Sequence, residues 1–93
     1  MGALIQATAS VTAVDTGTDW VPIRGSFSIS ISGVTASTVE LQRKFGSSGT
    51  AETVDSWTSD FEGEASATEE REVYYRLQVT AYSTDTILLR MSQ

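Results

Sequence analysis

Apolar and polar residues alternate with a period of two along almost the whole chain. From Ile5 to Ala13 the odd positions carry Ile5, Ala7, Ala9, Val11 and Ala13, and the even ones Gln6, Thr8, Ser10 and Thr12. Such alternation predicts a half-buried strand. Asp15-Thr16-Gly17-Thr18-Asp19 reads as a turn, and Trp20-Val21-Pro22-Ile23 as a short edge segment, because Pro22 cannot donate to a ladder. Phe27, Ile29 and Ile31 alternate with serines between Gly25 and Gly33. Val39, Leu41 and Phe45 follow, up to the Gly46-Ser47-Ser48-Gly49 turn. Thr50 to Trp57 makes a weaker strand, and Asp60 to Thr68 alternates again through Phe61, Ala65 and Ala67. After the charged corner Glu69-Glu70-Arg71-Glu72 come Val73, Tyr75, Leu77, Val79 and Ala81, then Ile87, Leu89 and Met91.

No stretch repeats apolar residues at helical spacing for two turns. Seven or eight short strands with frequent turns predict an all-β fold, an antiparallel sandwich. Tyr75 and Leu77 have the Tyr-x-core spacing of strand F in immunoglobulin-like sandwiches, in the penultimate strand and after a charged corner. The expected topology is therefore immunoglobulin-like, with a jelly roll as the alternative. At 93 residues the chain is one domain, 1–93, and residues 1–14 form an N-terminal strand or arm available for subunit contacts.

Composition narrows the chemistry. The chain has no His and no Cys, which excludes His-based triads, Cys nucleophiles, disulfides and zinc sites built on thiolate or imidazole. Twelve acidic residues against six basic ones give a net charge of -6 and a pI near 4.3. Binding to nucleic acid or to an anionic membrane is disfavoured. The first residues lack the basic and apolar regions of a signal peptide, so folding in a cytoplasm is the simplest expectation. Ser and Thr together number 26, which suits outer sheet faces and turns.

Carboxylates are the remaining candidates for chemistry. Asp60, Glu62, Glu64, Glu69, Glu70 and Glu72 crowd one segment, and the first three share a strand face at roughly 7 Å intervals. Such a face could serve weak calcium binding, but a solvated outer face is the simpler expectation; no catalytic, cofactor or metal site is assigned, and no enzyme is expected. Trp20 and Trp57 could stack on sugars, though each sits at a strand edge where a core plug or rim anchor is more usual. The even face of the last two strands is richer in contact chemistry. Tyr74, Tyr82 and Leu88 should point away from the core, among Arg76 and Arg90, and aromatics with Arg are typical of protein interfaces. With Leu4 and Ile5 of the first strand, these make the candidate protein interface.

From about Gly25 onward the chain resembles small β-sandwich proteins encoded in the structural modules of tailed bacteriophages. The resemblance rests on Gly25-Ser26-Phe27-Ser28-Ile29-Ser30-Ile31-Ser32-Gly33, on Thr38-Val39-Glu40-Leu41-Gln42-Arg43-Lys44-Phe45-Gly46, on Val54-Asp55-Ser56-Trp57-Thr58 and on Tyr75-Arg76-Leu77-Gln78-Val79-Thr80-Ala81-Tyr82. It implies a non-enzymatic virion protein, assembled in a bacterial cytoplasm and carried on the particle surface. The expected role is a capsid decoration (cement) protein, a homo-oligomer with a trimer favoured, bound to the major capsid protein or another virion protein. The alternative is a carbohydrate- or receptor-binding module of a tail or head surface.

Overall fold

The computed structural model describes residues 6–46, 48–66 and 73–93. Among them the chain forms nine strands and no helix: β1 (Gln6–Val11), β2 (Thr16–Gly17), β3 (Val21–Pro22), β4 (Ser26–Ser32), β5 (Thr38–Phe45), β6 (Glu52–Trp57), β7 (Phe61–Ser66), β8 (Val73–Ala81) and β9 (Ile87–Ser92). The expected strands over 5–13, 50–57 and 60–68 are found in shorter form. Ile5, Ala67, Thr68 and the charged corner at 69–72 lie outside the described residues.

Four antiparallel pairs nest inside one another. β5 pairs β6, β4 pairs β7, the β2 and β3 segments pair β8, and β1 pairs β9. The chain is thus one long hairpin with its apex at the β5–β6 turn. Rolling that hairpin adds the pairs β4–β9 and β5–β8. The result is two antiparallel sheets: sheet A, ordered β1-β9-β4-β7, and sheet B, ordered β2-β8-β5-β6 with β3 also on β8. The all-β sandwich expected from the sequence is present. Its strand order is the jelly roll named as the alternative, not the immunoglobulin-like order. In the latter the last two strands share a sheet, whereas β8 and β9 lie in opposite sheets.

The core lies between the sheets and follows the alternation. Phe27, Ile29, Ile31, Ile87, Leu89 and Met91 come inward from sheet A, and Val39, Leu41, Val73, Tyr75, Leu77 and Val79 from sheet B. Burying each such side chain contributes about 1.5–3 kcal/mol. The Phe27 and Tyr75 rings meet across the layers at 5.5 Å, tilted by 52°, a favoured aromatic geometry. Three expected inward residues behave otherwise, among them Ala81 at the end of β8, which is exposed. Phe45, at the end of β5 where the core no longer covers it, is 48% exposed, with the Arg43 guanidinium 5.4 Å from its ring. Ala13 lies beyond β1 and is exposed.

β2 and β3 are one edge strand interrupted at Thr18–Trp20. Thr18 keeps the ladder intact across the gap. Its N–H donates to the Leu77 carbonyl at 2.9 Å, and its hydroxyl accepts the Leu77 N–H at 3.0 Å. A buried backbone donor left without a partner would cost about 1–3 kcal/mol, so this hydroxyl replaces a missing strand carbonyl. Gly17, next to it, has no room for a side chain: a Cβ would collide with the Leu77 carbonyl oxygen. Gly33, with φ of 84°, turns the chain out of β4 and would likewise strike the Thr86 carbonyl.

Candidate contact faces

Sheet B presents long side chains on its outer face. The interruption between β2 and β3 carries Trp20 to the sheet edge beside β8, where it meets side chains from β5 and β8. The Arg76 guanidinium carbon lies 4.3 Å from the Trp20 ring centre, and the Lys44 ammonium 4.7 Å from it. Lys44 also lies 5.9 Å from the Tyr74 ring. The register explains the grouping, since Lys44 pairs with Tyr74 and Gln42 with Arg76. Cation–π contacts of this kind are each worth about 0.5–1 kcal/mol at exposed sites.

Hydrogen bonds continue the patch across the sheet. Arg76 Nε donates to Gln42 Oε1 at 2.8 Å, and Gln42 Nε2 donates to Glu40 Oε1 at 3.1 Å. Thr53 Oγ1 donates to the same Glu40 oxygen at 2.8 Å. Partial burial pushes the Arg76 guanidinium below its ordinary value, because a less solvated site disfavours the charged form. The guanidinium remains a cation at physiological pH. The whole arrangement is a held, half-buried platform with two cations, on a chain of net charge -6.

Sheet A has a different outer face. Its outward positions form three rows across four strands. Gln6, Ser92, Ser28 and Glu64 make the first, Thr8, Arg90, Ser30 and Glu62 the second, and Ser10, Leu88 and Ser32 the third. Short hydroxyl side chains make up most of it. Leu88, 54% exposed, and Arg90 stand above them, and shallow depressions lie around both.

The predicted interface residues therefore do not form one surface. Tyr74 and Arg76 lie on sheet B, Leu88 and Arg90 on sheet A, and the two pairs look in opposite directions. Tyr82 was expected to point outward, but it packs against the core. The cause is a register shift: Thr38 pairs with Ala81 and Val39 with Val79, so Thr80 is an extra residue. A one-residue bulge exchanges the faces of everything beyond it. Leu4 and Ile5 lie outside the described residues. The part of the arm that is described, β1, pairs with β9 and forms an edge of sheet A.

The other candidates separate clearly. Trp57 stacks on Phe61 at 4.9 Å and 25° and packs against the core, so it joins β6 to β7 as a plug. Trp20 is half-buried, as Trp57 is, but its ring is faced by the Arg76 and Lys44 cations. Asp60 Oδ1 accepts the Val34 N–H at 2.9 Å, tying the β4–β5 turn to the start of β7. Glu62 and Glu64 are exposed on the outer face of β7. Among the described residues no three Asp or Glu side chains gather to hold a metal ion.

Sequence reasoning identified Tyr74 and Arg76 but missed Lys44, Gln42 and the role of Trp20 beside them. The even-position phase of β5 was the available signal, since Lys44 and Gln42 share it; pairing β5 with β8 was needed to use it. No protein-family model matches the chain, and neither a curated protein nor a solved structure matches it.

Proposed function

We propose that this chain is a non-enzymatic assembly protein of a virus particle, most specifically a decoration (cement) protein on the head of a tailed bacteriophage. It assembles in the bacterial cytoplasm and binds the major capsid protein lattice through the outer face of sheet B. The observation that carries the contact role is the Trp20–Lys44–Tyr74–Arg76 platform. Aromatic and Arg side chains dominate binding energy at protein interfaces. Side chains already held by neighbours lose less entropy on binding. Two cations on a chain of net charge -6 favour an acidic patch on the partner. The virion setting rests on the resemblance of Gly25–Gln93 to phage structural proteins, and jelly rolls are a frequent architecture of viral capsid domains, which is support by analogy of fold.

The experiment is co-sedimentation of the purified chain with heads of the virus that encodes it. Saturable binding that is lost in the W20A/R76A variant supports the reading. A chain that stays in the supernatant overturns it. A second reading, a carbohydrate- or receptor-binding module, draws on half-exposed Trp20 beside Tyr74, and jelly rolls also occur among lectins. Glycan-array binding that disappears on Trp20→Ala, with no binding to heads, would favour it.

A further inference from the structure

The outer face of sheet A has a layout that fits a second copy of the same chain. In its middle row Arg90 stands one strand to one side of Ser30, and Glu62 one strand to the other. Each is about 4.8 Å away in the sheet. We propose that sheet A is a self-association face that packs on sheet A of a second copy, about a two-fold axis running along β4. Such an axis exchanges the two flanking positions, so Arg90 of each copy meets Glu62 of the other and two ion pairs form at once. The alternatives conflict: an axis along β9 sets Arg90 against Arg90, and one along β7 sets Glu62 against Glu62. Charge complementarity selects β4.

Three further observations fit this occupant. Among the described residues Arg90 makes no ion pair within its own chain, and Glu62 accepts one long bond from Ser30 Oγ at 3.4 Å. The serines along the axis are short enough for two sheets to approach to about 10 Å, which also covers exposed Leu88. The molecule measures 37 × 28 × 17 Å, so its broad face exceeds the roughly 800 Å² per partner of a standard interface. The assembly is two-fold, in contrast to the trimer that the phage resemblance implies.

Sedimentation equilibrium from micromolar to millimolar concentration tests it. The wild-type chain should dimerise. R90E and E62R should each weaken the dimer by about tenfold or more, because like charges then meet twice. An equimolar mixture of R90E and E62R should form a heterodimer, since both contacts regain opposite charges, and the R90E/E62R double variant should dimerise by itself. Circular dichroism checks that these exposed substitutions leave the fold intact. A monomer throughout, a trimer, single variants that dimerise as wild type, or a mixture that fails to associate would each overturn the inference. The test uses no capsid, and W20A should dimerise normally, so its failure is distinct from failure of the capsid reading.

Discussion

The two outer faces of this sandwich are built from opposite materials. Sheet B carries long side chains that restrain one another: Arg76 is held by Trp20 on one side and by Gln42 on the other. Sheet A carries short hydroxyls with Leu88 and Arg90 standing free of such a network. Both faces come from the same alternation, and both cover the same core. Period two thus decides only which residues point outward. What an outer face can do is set by side-chain length and by the cross-strand neighbours that the register supplies.

The largest effect should come from removing what the two faces share, the core beneath them. Leu77 is 0% exposed, and Leu77→Ala should cost about 2–5 kcal/mol through lost burial and the cavity left behind. Urea denaturation should show it, and both faces should fail together. A cost below about 1 kcal/mol would mean that β8 is not the centre of the core. Next is a change that loosens sheet B alone. Thr18→Val removes the acceptor of the Leu77 N–H while keeping the side chain's shape, and should cost about 1–3 kcal/mol. In a Trp57→Phe background the remaining indole, Trp20, should shift its emission to the red, while self-association through sheet A is unchanged.

Smaller effects sharpen the contrast. Arg76→Met keeps much of the hydrocarbon stem but removes the charge from the Trp20 ring. About 0.5–1 kcal/mol of stability should be lost, with a larger loss in binding to heads. At the bottom of the scale, Ser30→Ala on sheet A should move stability by no more than about 0.5 kcal/mol, because the hydroxyl holds only a long bond to Glu62. If Ser30→Ala destabilised the fold as much as Thr18→Val, the view of sheet A as a lightly bonded face would be wrong.

Much of the fold could be read before any coordinates. Phe27, Ile29 and Ile31, Val73, Tyr75, Leu77 and Val79 of β8, and Ile87, Leu89 and Met91 were all identified by alternation, and all are buried, whereas Ala81, read in the same phase, is exposed. The strand order was harder, because alternation assigns a side chain to a face and says nothing of which strand lies next to it. Tyr75 and Leu77 have the spacing of an immunoglobulin-like strand F, yet the same spacing serves here to set Tyr75 against Phe27 across a jelly roll. Tyr82 was misplaced because nothing local marks Thr80 as a bulge; that residue is extra only relative to Thr38 and Val39 on β5. The sheet B platform was half legible for the same reason. Tyr74 and Arg76 announce themselves on one strand, whereas Trp20 and Lys44 join them only once β8 lies between the edge segment and β5.

On the proposed function, a prearranged sheet B platform binds a virion partner. The most direct measurement of that binding is quantitative co-sedimentation with heads, comparing wild type, W20A/R76A and R90E. Wild type should bind saturably, R90E should bind through its intact sheet B, and W20A/R76A should lose binding even though circular dichroism shows it folded. Wild-type chain that remains in the supernatant, or W20A/R76A binding as tightly as wild type, would contradict it.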